Sequence, residues 1–295
     1  MSSIIEKRYD FVYLFDCQDG NPNGDPDMDN APRFDPETFQ GLVSDVCLKR
    51  KIRDYVFVAK KDEPGYNIFV TSGVTLESQQ QRSYDSLQMK PVKESKESRD
   101  QIGKAREWMC ANFFDVRAFG AVMSTTEFNC GQVRGPVQIT FSRSIDRIFS
   151  TEHAITRVAY TKEDKKASTT ANTEMGRKHT LAYGLYRAHG FINAPFAKQT
   201  GFTDDDLAML WKALCNLFDM DRSAARGLMS ARGLYVFEHN SSLGEAPAQR
   251  LFERITIEKK DGVESPRSFS DYVVSVRDED LPDGVKLTEH CAAYA

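Results

Sequence analysis

A segment that is apolar on both faces belongs in a core, and residues 9–16 are such a segment. Tyr9-Asp10-Phe11-Val12-Tyr13-Leu14-Phe15-Asp16 carries aromatic and aliphatic side chains on alternate faces of a strand. Its aromatic side, Tyr9, Phe11, Tyr13 and Phe15, has the composition of a base-stacking platform. The sequence blocks of an RNA-recognition motif are absent, so the strand reads as core. It runs into Asn21-Pro22-Asn23-Gly24-Asp25-Pro26-Asp27, where almost every residue is a turn former. Beyond Gly41 a helix is expected over 42–58, bearing Lys49, Arg50, Lys51 and Arg53. Asp45, Lys49 and Arg53 fall at i, i+4 and i+8 and form a ridge, with Leu42 and Val46 on one flank and Leu48, Ile52 and Tyr55 on the other. A structured loop feeding a basic helix suits an anionic partner, although a solvated ladder of charges has the same pattern.

The rest of the chain supplies the other layers of an α+β fold. Residues 66–71 read as a short strand, and 78–99 as a polar surface insertion. A helix follows over 99–114, with Ile102, Ala105, Met109 and Phe113 on one face and Trp108 beside it as core. Gly120, Gly131 and Gly135 punctuate the next stretch, before the alternating strand 137–142. Residues 144–180 read as a projecting hairpin or loop, and 181–192 as a strand. The helix 203–219 is capped by Thr203, with Asp204, Asp205 and Asp206 in its first turn. Strands at 233–238, 255–257 and 272–276 complete the chain. The core order is β-α-β-β-α-β, that of a ferredoxin-like or RNA-recognition-motif fold with long insertions.

Composition limits the function classes. A net charge of −4 argues against indiscriminate nucleic-acid binding, so an RNA reading needs segregated charge. Cations do gather at 49–53, at Arg134, Arg143, Arg147 and Arg157, and at Arg177-Lys178, while anions gather at 204–206 and 278–280. Cysteines at 17, 47, 110, 130, 215 and 291 form no Cys-x-x-Cys pair, which argues against zinc and against a secreted disulfide framework. No apolar run reaches membrane-spanning length, and no signal-peptide pattern opens the chain; the expected location is cytoplasmic. The acidic run Asp25-x-Asp27-x-Asp29 departs from a calcium loop, with Asn30 and Pro36 at the positions of the required Gly and Glu. No metal or cofactor is expected. His179 and His189 bracket a strand, ten residues apart, and would project to one face but too far from each other for a base–acid pair. Asp16, Asp19 and Asp25 are the best candidates for an endoribonuclease, but nothing pairs them with a base, and the chain reads as non-catalytic.

The blocks Asn21 to Asp27 and Gly41 to Arg53, with Asp115-Val116-Arg117-Ala118-Phe119-Gly120-Ala121-Val122-Met123, Gly131-Gln132-Val133-Arg134-Gly135-Pro136-Val137-Gln138 and Met175-Gly176-Arg177-Lys178-His179, occur in one order. Together they resemble the Cas-seven family of subtype I-C, the repeated backbone subunits of the CRISPR surveillance complex Cascade. The resemblance implies a modified RNA-recognition-motif (ferredoxin-like) palm over 1–240, with a finger-like insertion at 60–101 and a thumb-like one at 144–180. Residues 241–295 would add strands packed on the palm. It further implies a non-enzymatic subunit that polymerises head-to-tail along a CRISPR guide RNA and presents it for target DNA pairing. A superfamily endoribonuclease that matures the guide is the alternative. On this resemblance Lys49, Arg50, Lys51 and Arg53 would grip phosphates, Gly131 and Arg134 would line the groove, and Met175, Arg177 and Lys178 would reach over a kink in the guide. The implied partners are guide RNA, further copies of the chain, a type I-C Cas-five-type subunit, large and small Cascade subunits, and target DNA.

Overall fold

The computed structural model describes residues 2–91, 96–124, 127–157 and 174–291. β1 (Tyr9–Gly20) is its central strand. Two short strands, β2 (Gly24–Asp25) and β3 (Ala31–Pro32), close the turn-rich loop on itself, and β4 (Gln40–Val43) leads into α1 (Asp45–Ala59). The helix therefore starts three residues later than expected from its apolar pattern. Ser44 has extended backbone angles and caps the helix, its side chain accepting from the Cys47 N–H. Asn23 explains the loop's composition, because its Oδ1 accepts from both the backbone N–H and the hydroxyl of Ser44, each at 2.9 Å.

Next come α2 (Leu76–Ser86), α3 (Lys96–Asn112), α4 (Phe114–Phe119), β5 (Gly120–Met123) and β6 (Gly131–Arg134). Residues 66–71 form only an isolated parallel bridge between Asn67 and Phe113. The polar stretch after 75, expected as surface, includes a helix that buries Gln79, Gln80, Ser83 and Tyr84. Its amides serve as internal donors: Gln80 Nε2 donates to the carbonyls of Met123 (2.6 Å) and Phe128 (3.2 Å). A polar side chain that satisfies buried peptide groups looks the same in sequence as a solvated one. These elements share an apolar cluster of their own, including Phe69, Tyr84, Met109, Phe113 and Met123, with Trp108 packed against it.

The expected strand 137–142 is broken into β7 (Val137–Ile139) and β8 (Ser142–Arg147). β9 (Ser150–Arg157) and the long β10 (Glu174–Ile192) then run antiparallel from Arg157↔Glu174 to Ser150↔Leu181. The strand expected over 181–192 thus extends outward as one arm of a hairpin. α5 (Ala194–Thr200), α6 (Asp204–Met220), β11 (Leu228–His239), α7 (Ala248–Phe252), the hairpin β12 (Ile255–Lys259) and β13 (Tyr272–Val276), and β14 (Val285–Glu289) follow. The result is a mixed α/β fold around an eight-stranded antiparallel sheet of order β14-β11-β1-β10-β8-β4, with β7 and β9 also pairing to β10.

β1 is buried on both faces, as its sequence demands. Phe11 meets Trp211 of α6 edge-on at 5.3 Å, Phe15 stacks on Tyr186, and the Tyr13 hydroxyl donates to the Leu214 carbonyl at 2.6 Å. Val12 and Leu14 face the other way, into a cluster with Phe237, Leu251, Phe252 and Ile255. Gly190 lies opposite Phe11 in the register, and a Cβ there would sit 1.9 Å from the ring, so the aromatic needs a bare neighbour. Cys215 and Cys291 form a disulfide between α6 and the segment after β14, across 76 residues of sequence. That separation hid the pair from a reading of cysteine spacing.

Arg117 joins the α2–α3–α4 cluster to the sheet layer. It is buried, pairs in a fork with both carboxylate oxygens of Asp206 (2.8 and 2.7 Å), and donates to the carbonyls of Gly65 and Cys110. Asp206 in turn closes the capping box with Thr203. Removing one partner of such a pair strands a buried charge. Arg117→Met should therefore lower the unfolding free energy by about 3–5 kcal/mol. Removing the exposed Arg177–Glu152 pair by Arg177→Ala should cost at most about 1 kcal/mol. Urea unfolding of both variants checks the contrast.

Candidate nucleic-acid interface

Phe119, the last residue of α4, organises the basic side of α1. The Lys49 ammonium lies 5.8 Å and the Arg53 guanidinium 5.3 Å from its ring centre. Lys49 also pairs with Asp45 at 3.0 Å, and Arg53 Nε donates to Asp115 Oδ2 at 2.8 Å. Asp115 is 1 % exposed and accepts from the backbone N–H groups of Phe69 and Val70 as well. Arg53 therefore holds α1 against α4 with one edge of its guanidinium. Arg50 is exposed beside Asp54.

Lys51 stands elsewhere than its sequence neighbours suggest. It is 2 % exposed, and its ammonium lies on Asp221, which also pairs with Arg226 at 2.9 Å. A buried ammonium on a buried carboxylate is an internal tie between α1 and the loop after α6, and it presents no charge to a ligand. This corrects the expectation that Lys51 grips phosphate. The helical period explains the error: Lys51 is next to Arg50 in sequence but about 100° round the helix from it.

Arg134 is exposed at the end of β6, paired across the ribbon with Gly120, the residue after Phe119. Lys49 and Arg53 thus lie on the Phe119 ring, and Arg134, from a separate sequence block, pairs by its backbone with the adjoining Gly120. The glycines there bring backbone onto backbone. A Cβ on Gly120 would lie 2.4 Å from the Val133 carbonyl oxygen, and one on Gly135 would lie 2.3 Å from the Gly120 nitrogen. Gly131 has φ +71° and opens β6.

The third block divides along the β9/β10 arm. Met175 is 78 % exposed, and Arg177 pairs with Glu152 on the arm's surface at 3.0 Å. Lys178, nearer the sheet, donates to the Ala224 carbonyl in the loop after α6. That loop, with Arg222 and Arg226 bracketing Ser223, Ala224 and Ala225, was missed in the sequence. Its signal was two cations around small residues directly after a helix. The small-residue run 168–173 lies outside the described residues.

The carboxylates weighed for catalysis have structural partners. Asp16 is buried, accepts from the Tyr183 hydroxyl (2.9 Å) and Arg232 Nε (2.8 Å), and has its pKa raised by burial against the pull of Arg232. Asp19 adopts a left-handed turn conformation with φ 51°. Asp25 accepts from the Asp27 N–H and pairs with Arg33 at 3.3 Å, so it builds the turn. His179 Nε2 is 3.7 Å from Asp29. His189 stacks on Phe252 at 4.5 Å and accepts from Arg187 Nε at 3.0 Å, which requires the neutral ring. Burial, then the Arg187 charge, lowers its pKa from 6.5 to about 4.

Residues 7–277 match the family model described as CRISPR-associated protein Cas7. The chain belongs to the Cas7 family. A relative described as CRISPR-associated protein Cas7 from Haloferax volcanii is 27 % identical, over 91 % of this chain and 80 % of its own length. Two solved structures share a weaker likeness. A chain of a "CRISPR RNA-guided surveillance complex, pre-nicking" has a TM-score of 0.48 at 12 % identity, covering 78 % of each chain. A chain of the "Type III-B Cmr-beta bound to cognate target RNA" has a TM-score of 0.41 at 12 % identity, covering 78 % of this chain and 61 % of its own.

In this Cas7-family chain the interface cations differ in how far they also hold the fold. Arg53→Ala deprives buried Asp115 of a charged donor and should cost about 1.5–3 kcal/mol. Lys49→Ala removes one helical pair and a contact with the Phe119 ring and should cost about 1 kcal/mol. Chemical denaturation of the single variants measures both. His189 gives a pH signature. Its folded pKa of about 4 lies below the ordinary 6.5, so the unfolded chain takes up the proton first. The stability it contributes is full above pH 6.5 and falls as pH drops towards 4. His189→Gln should flatten the stability profile in that window, and an unchanged profile would contradict the neutral-ring assignment.

Proposed function

We propose that this chain is a non-catalytic guide-RNA-binding subunit, several copies of which line the guide as the backbone of a type I-C CRISPR surveillance complex. The observation that carries the reading is the placement of Lys49 and Arg53 on the Phe119 ring, next to Gly120 and its cross-strand partner Arg134, in a chain of the Cas7 family. Cations set along a groove track a phosphate backbone without reading bases, and pairing by the guide supplies target specificity. The palm is read as ferredoxin-like because β11, β1, β10 and β7 lie side by side in that order, with α1 and α6 on one face. The β9/β10 arm is read as the thumb: it projects beyond the sheet and carries exposed Met175 and Arg177 towards the next stretch of RNA. Copies would associate head-to-tail, since a heterologous, non-closing contact builds a filament. A type I-C Cas-five-type subunit, large and small subunits, target DNA and a cytoplasmic location complete the proposal.

The test is a salt titration of single-stranded RNA binding. Lys49→Ala, chosen because the residue does not hold a buried carboxylate, should weaken binding equally for RNAs of any sequence. It should also make the log–log salt slope shallower, by about 0.7 for every phosphate no longer neutralised. Slopes parallel to wild type would move the groove elsewhere. For the endoribonuclease alternative, a repeat-containing RNA incubated with the protein, first without and then with magnesium, should stay intact. Specific cleavage would overturn the non-catalytic reading.

A further inference from the structure

Arg134 differs from the other cations of the interface. Lys49, Lys51, Arg53 and Arg177 each have a carboxylate on the charged group, and Lys178 has a carbonyl. The guanidinium of Arg134 has no polar partner among the described residues. Its inner face lies over the Phe196 ring, with the guanidinium carbon 4.3 Å from the ring centre, the shortest cation–ring distance among the described residues.

Both halves of this stack are fixed in place. The Gly135 backbone packs so closely on Phe119 and Gly120 that a Cβ there would lie 2.3 Å from each of them. One residue further, the Pro136 carbonyl accepts from the Asn193 N–H at 3.0 Å. Asn193 caps α5, its side chain accepting from the Phe196 N–H itself at 3.2 Å. Phe196 is thus tied through one short chain of contacts to the strand that carries Arg134.

Around Arg134 the ribbon offers a surface suited to a flat apolar group. Directly across the ribbon is Gly120, with no side chain. Diagonally across is Val122, 63 % exposed, and exposed Gln132 is its cross-strand partner on the same ribbon face. A phosphate is best held by converging cations, but this face has a bare backbone, a valine and an amide. A guanidinium supported on one side by an aromatic ring can receive a nucleobase on the other, by the stacking that serves single-stranded RNA recognition. We infer that Arg134, positioned by Phe196 and flanked by Val122, is a stacking platform for a nucleobase of single-stranded nucleic acid. The inference rests on the RNA-binding reading above: Lys49 and Arg53, on the Phe119 ring, would take the adjoining phosphates.

The test compares binding of oligouridylate with that of an abasic ribose-phosphate oligomer of equal length. The proteins are wild type, Arg134→Lys, Phe196→Leu and the double variant. Wild type should bind the base-containing oligomer more tightly. Arg134→Lys keeps the charge and removes the plane; Phe196→Leu keeps an apolar support and removes the ring. Each should shrink the preference roughly three- to tenfold while abasic binding stays at the wild-type value, as expected for loss of one cation–π-supported stack. The double variant should lose no more than either single one, and Phe196→Tyr should restore the preference. Exposed Arg134 tolerates lysine without unfolding, so that variant stays informative if Phe196→Leu proves unstable. A preference that survives Arg134→Lys overturns the platform and leaves the RNA-binding reading standing. If wild type binds neither oligomer, the RNA-binding reading falls and the platform with it.

Discussion

Two charges on one helical turn hold the molecule's layers in register. On α4, Asp115 and Arg117 are both buried, and each finds its opposite charge on a different element: Asp115 on Arg53 of α1, Arg117 on Asp206 at the start of α6. The same side chains also satisfy backbone groups, Asp115 those of residues 69 and 70, Arg117 the carbonyls of residues 65 and 110. A buried ion pair stabilises only when its remaining donors and acceptors are met, and here they are met by the connecting chain itself. The helix therefore fixes where the α2–α3 cluster joins the sheet. Phe119, at its end, carries Lys49 and Arg53 on its ring and leads into Gly120, the strand partner of Arg134.

This arrangement reconciles an acidic chain with a basic surface. Many of the cations are matched by the protein's own carboxylates: Lys51 and Arg226 by Asp221, Arg232 by Asp16, Arg143 by Asp35. Such pairing meets part of the chain's positive charge internally. Arg134, stacked on Phe196 rather than on an acid, is the cation of the sequence-predicted site with no polar partner among the described residues. A polyanion responds to how charge is distributed rather than to its total, so a net charge of −4 does not by itself oppose the reading.

The parts of the fold that follow from periodicity were legible in the sequence. β1 declared itself through two apolar faces, and α6 through Thr203, its acidic first turn and its apolar stripe, all present with a closed capping box. The polar parts were not legible, because sequence cannot distinguish a solvated polar residue from one that satisfies a buried partner. Gln80 read as surface and lies inside; Lys51 read as a ligand and is a tie; Asp115 and Arg117 stood out as a motif whose structural role was hidden. Of the candidate site, the residue types and their blocks were visible. Their meeting at Phe119 and Gly120 was not, since it depends on the pairing of Gly120 with Arg134 and on a buried ion pair far apart in sequence.

The central claim is that this chain assembles along RNA. Its most direct test is size-exclusion chromatography of the protein co-expressed with a guide RNA, with absorbance followed at both the nucleic-acid and protein maxima and RNA extracted from the peak. The account predicts an early-eluting, RNA-containing assembly that holds several copies per RNA and collapses to smaller species on nuclease treatment. A nucleic-acid-free monomer, recovered in the presence of intact guide and partner subunits, would contradict it.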